Sequence, residues 1–454
     1  MRRLIIACLF LALAPICSAR ELAKTYSELT ELWWGSQMEL ARWCDENKLP
    51  HEAERILIEI AKNGGRIYAT KALEVRKKID KKKAVDPKPE LWKEFLKRSY
   101  DNRRQVSDDY ENLANLTNAA NKKIGYVDWA LKYDAHNESL RKARGEKRIE
   151  GFGWYTEEEY KELAARQSNT ETKKTPAGKG IILFESEHYT FLSELSFSQT
   201  KKAALHAELH YKAFRKKFGS IVPEPVKKLG IRLVKDKEKY KELLALYKQP
   251  PSYINNAGFF LGNTGEVFVF EPKTRDRGGV KRTLSHECTH QLMSVGMCGD
   301  PYVSDRVYYL LSGHEFAWCV EGIAVYFESL RKSGKTFSLG GLDTYRKHLV
   351  DSKTDQKKLD ELNEFMKLDR YRYSRGLDSL QLSRRYAMGG ALAEMCMHSK
   401  TDAIRDSFLT MVQRYYRGFG TKKEFDVLLD KDEEQKENFD KAWKEHIGGY
   451  LKRR

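Results

Sequence analysis

Two histidines four residues apart, in His286-Glu287-Cys288-Thr289-His290, constrain this chain more than any other stretch. On a helix, residues i and i+4 share a face, so both imidazoles reach one point. The spacing therefore predicts a helix here, and Leu284, Leu292 and Met293 give it an apolar side for burial. Neutral imidazole suits Zn²⁺ at about 2.0–2.1 Å. Glu287, one residue on, lies beside the coordination position left open, where it can take a proton from a bound water.

A catalytic zinc site needs a third protein ligand. A histidine six residues beyond His290 is one solution, but that position is Gly296. A glutamate on a following helix is another, and the stretch Trp318-Cys-Val-Glu-Gly-Ile-Ala-Val-Tyr-Phe-Glu328 offers Glu321, 31 residues after His290. Gly322 and Ala324 are small, so this helix is expected to pack tightly against the histidine helix. Glu328 lies near the same face and is placed to orient a ligand histidine.

The pairing of His286-Glu-Cys-Thr-His290 with Trp318-x-x-Glu321-Gly-x-Ala-x-Tyr-Phe-Glu328 resembles the gluzincin class of zinc metallopeptidases. More narrowly, the chain resembles a bacterial family of exported gluzincin-like proteins of uncharacterised function. Three further stretches carry that likeness: Glu185-Ser-Glu-His-Tyr189, Ala257-Gly-Phe-Phe260 and Tyr386-Ala-Met-Gly-Gly-Ala-Leu392. The resemblance spans roughly Ile181 to Leu451. It implies that His286, His290 and Glu321 bind zinc and that Glu287 is the general base. Gluzincins also use a Tyr or His to stabilise the developing oxyanion. Tyr386 is the first candidate, with His314 and Tyr326 as alternatives, and packing of Tyr386 in the helical core is an equal reading. His188, His206, His210 and His398 read as surface or core histidines.

Along the chain the expected class is α+β and mainly helical. Residues 20–166 read as a helical, tetratricopeptide-like region. In it Ser27–Asn47, with Leu32, Met38, Leu40, Trp43 and Cys44 at helical spacing, turns at Lys48-Leu49-Pro50 into Glu52–Lys62. Residues 167–180 are polar, carry Pro176, Gly178 and Gly180, and read as a linker. Residues 181–454 read as a zincin-like domain: a small sheet, then a helical half. Its strands are expected at Ile181–Phe184, Tyr189–Leu192, Ile231–Val234, Phe259–Leu261 and Glu266–Phe270. The last is read as an edge strand that holds the substrate backbone. A helix over Thr200–Phe218 has Ala203, Leu205, Leu209, Phe214 and Phe218 for its core face.

At the N-terminus Arg2 and Arg3 precede the apolar run Leu4–Ile16 and then Cys17-Ser18-Ala19, the pattern of a signal peptide cleaved after Ala19. The run is short for a membrane span and no second one follows, so the mature protein is expected secreted or periplasmic, with no transmembrane segment. The net charge of +17 is spread over helices and interleaved with acids, without the aromatic interleaving of a nucleic-acid platform. Nucleic acid is therefore excluded as a partner, and an anionic envelope polymer fits the charge better. Five cysteines remain after the leader, which is no disulfide scaffold but leaves room for one or two bridges among Cys288, Cys298, Cys319 and Cys396. The function expected is an exported zinc metallopeptidase acting on a peptide or protein substrate. The alternative is a non-catalytic module that binds a protein partner through its helical N-terminal region.

Overall fold

The computed structural model describes residues 26–80, 88–149, 152–158, 160–161, 181–247, 249, 256–262, 264–270, 279–298, 316–334, 336–341, 361–374, 377–400, 402–417, 439 and 441–448. The leader at 1–19, the linker at 167–180 and His314 lie outside them. The described residues fall into two compact units. One runs to Lys147 and adds Trp154–Glu157; the other holds Arg148–Gly153 and the chain from Glu158 onward. The class is mainly helical with a small mixed sheet. No helix among the described residues is long and apolar enough to cross a membrane.

The first unit is built from α1 (Tyr26–Glu46), α2 (Pro50–Asn63), α3 (Gly65–Lys78), α4 (Pro89–Leu116), α5 (Ala120–Tyr133) and α6 (Glu138–Ala143). The α1–α2 turn is made by Lys48, whose φ of 60° is left-handed, and by the Leu49 amide, which donates to Cys44 O at 2.7 Å. Pro50 opens α2, where its missing N–H costs no helical bond. Leu29, Trp33, Ala41 and Cys44 of α1 and Ala53, Leu57 and Ile60 of α2 are buried. Leu32, expected inside, is 46% exposed. The face of α1 turns to bury the indoles of Trp33 and Trp34, which remove more apolar area from water.

The second unit carries a five-stranded sheet: β1 (Ile182–Glu185), β2 (Tyr189–Ser193), β3 (Leu229–Val234), β4 (Gly258–Leu261) and β5 (Glu266–Phe270), in spatial order β1-β2-β3-β5-β4. The β2–β3 and β3–β5 pairs are parallel, and the β1–β2 and β4–β5 pairs antiparallel. Every residue of β2 and β5 is buried, as parallel strands covered on both faces require. The expectation that Glu266–Phe270 is the edge is therefore corrected: β5 is interior and β4 is the edge. The two hairpin strands are equally apolar, and the one that pairs with β3 becomes the inner one.

Helices α7 (Phe197–Phe218), α8 (Lys237–Leu246), α9 (Gly279–Cys298) and α10 (Ala317–Glu328) follow, with strands β6 (Arg331–Ser333) and β7 (Thr336–Ser338) as a separate hairpin. Then come α11 (Glu361–Met366), α12 (Arg370–Ser374), α13 (Ser379–His398) and α14 (Asp402–Tyr416). Tyr240 and Leu244 of α8 cluster with Phe259, Phe268 and Phe270 of the sheet. Helix α7 starts earlier than expected, because Ser196 and Gln199 form a reciprocal capping box. Its core face also differs. Leu205 is 65% exposed, whereas His210 is fully buried among Ala203, Ala207, Phe214 and Phe218. Polar partners on α9 decide that, as shown below. Cys44, Cys288, Cys298, Cys319 and Cys396 are all free and buried, so the bridges the sequence left room for are not formed.

Candidate metal centre

Helix α9 is buried over most of its length after Leu284, polar residues included. Buried polar groups need partners, and each here has a specific one. Gln291 Nε2 donates to Gly230 O at 2.9 Å and to Gly265 O at 2.7 Å, tying the helix to the strands. Thr289 Oγ1 donates to Ser285 O at 2.7 Å, so it accepts from His210 Nε2 at 2.9 Å. One turn earlier, His206 Nε2 lies 2.8 Å from Ser285 Oγ. Thus an i, i+4 histidine pair on α7 grips an i, i+4 hydroxyl pair on α9. Each hydroxyl immediately precedes a histidine of the pentad. Burial pushes the His210 ring down to about 3 and the His206 ring down to about 4, so both are neutral at pH 7.

The pentad's own histidines point to α10. His286 Nε2 and His290 Nε2 are 3.2 Å apart. Glu321 Oε2 stands 3.3 Å from the first and 3.6 Å from the second. Four ligands arranged tetrahedrally at about 2.05 Å stand about 3.3 Å from one another, so this triangle has the dimensions zinc requires. The far ring nitrogens are occupied. His286 Nδ1 donates to Glu328 Oε1 at 2.8 Å, and His290 Nδ1 lies 3.4 Å from Tyr416 Oη on α14. Glu328 Oε2 in turn accepts from Arg282 Nε and Nη2, at 3.0 and 2.6 Å. Both rings therefore aim Nε2 at Glu321, the arrangement in which outer partners fix a ligand's orientation.

Electrostatics follow from that crowding. Burial disfavours charge on His286, but Glu321 and Glu328 outweigh it and hold its pKa well above the ordinary value. Burial opposes ionisation of Glu321 too, yet His290 and His286 draw its pKa well below the usual carboxylate range. Burial raises the Glu287 carboxyl, against the pull of the two histidines. With the His286 Nε2 proton displaced, two imidazole nitrogens, each with a partner on its far nitrogen, and one carboxylate oxygen are a donor set of the chemistry zinc takes.

The local folding that builds this is specific. A Cβ at Gly296 would meet Val222 Cγ1 at 2.4 Å, so the position that lacks a third histidine also has no room for one. A Cβ at Gly258 would stand 2.6 Å from Thr283 Cγ2 and 3.2 Å from Glu287 Cγ; glycine there lets the edge strand β4 run close beside Glu287. Gly322 was expected to ease packing against α9, but its Cα side faces α13, where a Cβ would lie 2.4 Å from Gly389 O. Tyr386 on α13 sets its ring 6.0 Å from the His286 ring and edge-on to Tyr373 at 5.9 Å. Tyr326 is buried and its hydroxyl lies 2.9 Å from His398 Nε2.

A second grouping, Glu187, His188 and Glu208, also meets the distance requirement for a cation. It is closed on itself: Glu208 accepts from Ser186 Oγ, from the His188 amide and from His188 Nδ1 at 2.7 Å. The stretch Glu185-Ser-Glu-His-Tyr189 is thereby explained as the anchored β1–β2 turn. Sequence reasoning missed Arg282, Tyr416 and the roles of His206 and His210. The histidine pair had a signal, the same four-residue spacing as Ser285 and Thr289; Tyr416, 126 residues from His290, had none. No family model, curated protein or solved structure matches the chain.

Proposed function

We propose that the chain is an exported zinc-dependent metallopeptidase that hydrolyses bonds in a peptide or protein substrate. The observation that carries this reading is the triangle of His286 Nε2, His290 Nε2 and Glu321 Oε2, with sides of 3.2, 3.3 and 3.6 Å, beside Glu287. Those three atoms would hold Zn²⁺, which when bound supplies Lewis acidity at the scissile carbonyl and lowers the pKa of a water to about 7. Glu287 takes the proton from the attacking water and returns it to the leaving amine. Glu328 keeps the proton of His286 on Nδ1, so Nε2 stays a donor to the ion. The edge of β4, beside Glu287, offers backbone groups to an extended substrate. Tyr386 is the candidate donor to the oxyanion. The helical N-terminal unit is the surface for a protein partner.

The test is Glu287→Gln in the mature chain. The amide keeps the size and loses the basicity, so zinc content should equal wild type while hydrolysis of a quenched peptide library falls by about 10²–10⁴. His290→Ala should lose the metal itself. Wild-type turnover in the Gln variant would refute the general-base role. A zinc-loaded wild-type chain without turnover would refute the peptidase and favour the non-catalytic binding module.

A further inference from the structure

A cleft of about 1070 Å³ opens between α7, the first turn of α9 and β6. Arg282 and Glu328, the pair that orients His286, form part of its wall, but none of the three candidate ligands does. Four exposed lysines line it: Lys202 and Lys212 from α7, Lys281 from α9 and Lys332 from β6. Among the described residues none of the four has a carboxylate partner. Three of the four acids of the wall have other partners. Glu208 is taken by His188 and Ser186, Glu224 by the Tyr211 hydroxyl, and Glu328 by Arg282 and His286, while Glu187 is exposed at the cleft's rim. With Arg215, Arg282 and Arg331, the four lysines make seven cations in the wall against four carboxylates, so the cleft carries a net positive charge.

The spacing selects the ligand. Lys202 and Lys212 are ten residues apart on one helix, about 15 Å along its axis. One phosphate or one carboxylate cannot meet both, so the ligand carries its charges along a chain. An extended polypeptide covers that length in about five residues. Apolar side chains stand among the lysines, with Leu205 65% exposed in the cleft wall, and these suit amino-acid side chains better than a bare polyanion. We propose that this cleft binds an acidic stretch of polypeptide about five residues long, its carboxylates on Lys202, Lys212, Lys281 and Lys332. That the stretch belongs to a substrate rests on the peptidase reading; the binding does not.

The test reads fluorescence anisotropy on the full mature Glu287→Gln chain, so that cleavage cannot consume the probe. The labelled probe is Glu-Glu-Leu-Glu-Glu-Leu-Glu-Glu, against the same peptide with Gln for Glu and against polyphosphate of equal charge. The acidic peptide should bind, the Gln peptide should not, and added salt should weaken binding. The K202Q/K212Q/K281Q/K332Q variant should lose about tenfold or more in affinity. K201Q/K235Q/K237Q/K239Q removes the same charge from exposed positions outside the cleft and should leave affinity within about twofold. If the first variant is unstable, Lys202→Gln alone should still weaken binding by about twofold or more. Equal loss in both quadruple variants, no binding of the acidic peptide, or tighter binding of polyphosphate than of the peptide overturns the inference. Hydrolysis of neutral peptides without acidic-peptide binding sinks this inference alone. Acidic-peptide binding without any hydrolysis by the wild-type chain sinks the peptidase alone.

Discussion

Gly322→Ala tests whether the packing of α10 on α13 positions the carboxylate of Glu321. A methyl at Gly322 would stand 2.4 Å from Gly389 O and 2.8 Å from Gly389 C, both rigid backbone. Ordinary carbon–oxygen contact is about 3.2 Å, so the helices must part by about 0.8 Å. Overpacking of that kind costs about 1–3 kcal/mol. In a unit of this size that lowers Tm by about 2–4 °C per kcal/mol, or about 2–12 °C in all. Glu321 is the adjacent residue and moves with the backbone, whereas coordination tolerates only about 0.2 Å. Zinc affinity should therefore fall about 10–100-fold, as it does when a ligand loses its support. Thermal melts with and without zinc, and a chelator-competition titration, measure both. The sign is diagnostic, because alanine in an unobstructed helix is worth about 1 kcal/mol over glycine. Gly125→Ala, in α5 with nothing near the added methyl, should show that gain. If Gly322→Ala is as stable as Gly125→Ala and binds zinc like wild type, the close approach does not hold the site.

Glu328→Gln should weaken zinc binding about 10–100-fold in the same titration, since it removes the charged acceptor of His286 Nδ1 and the carboxylate that Arg282 bonds. His210, held down to about 3 in the fold against about 6.5 unfolded, is neutral when folded, so its contribution is complete above about pH 6.5 and is lost as pH falls towards 3. Denaturation by urea at pH 7, 5.5 and 4.5 should show stability falling with acid by up to about 1.4 kcal/mol per pH unit from this ring, and His210→Gln should flatten the slope. Tyr386→Phe should lower kcat by about 10²–10³ with zinc content unchanged, and an unaltered kcat would remove Tyr386 from oxyanion stabilisation.

Local pattern made α9 legible, because two histidines four residues apart among apolar residues share a face on a helix. Glu321 and Glu328 are legible for a related reason: seven residues bring a helix back to nearly the same face, and their carboxylates both meet His286, through Nε2 and Nδ1. The strand at Glu266–Phe270 is legible from its run of apolar residues, with bounds that match. Its place in the sheet is not, because strand order depends on which hairpin arm pairs with β3, a non-local choice. Leu205 and His210 invert the hydrophobic ranking on α7, since a buried histidine is stable only where Thr289 waits on another helix. Tyr416 illustrates the limit: it reaches His290 from 126 residues away, and nothing near it in the chain announces that contact.

Cys288, Cys319 and Cys396 lie on α9, α10 and α13, the helices that carry the candidate ligands and Tyr386. Burial pushes all three thiols up, so at neutral pH they are protonated and shielded from oxidants and alkylating reagents alike. A reagent reaches them only when those helices come apart, and the rate of labelling then counts such openings. Cys288 lies between the two pentad histidines, so an ion held there locks its turn of helix from both sides. Under the zinc reading proposed above, modification of Cys288 should be slow with the ion bound and faster after chelation.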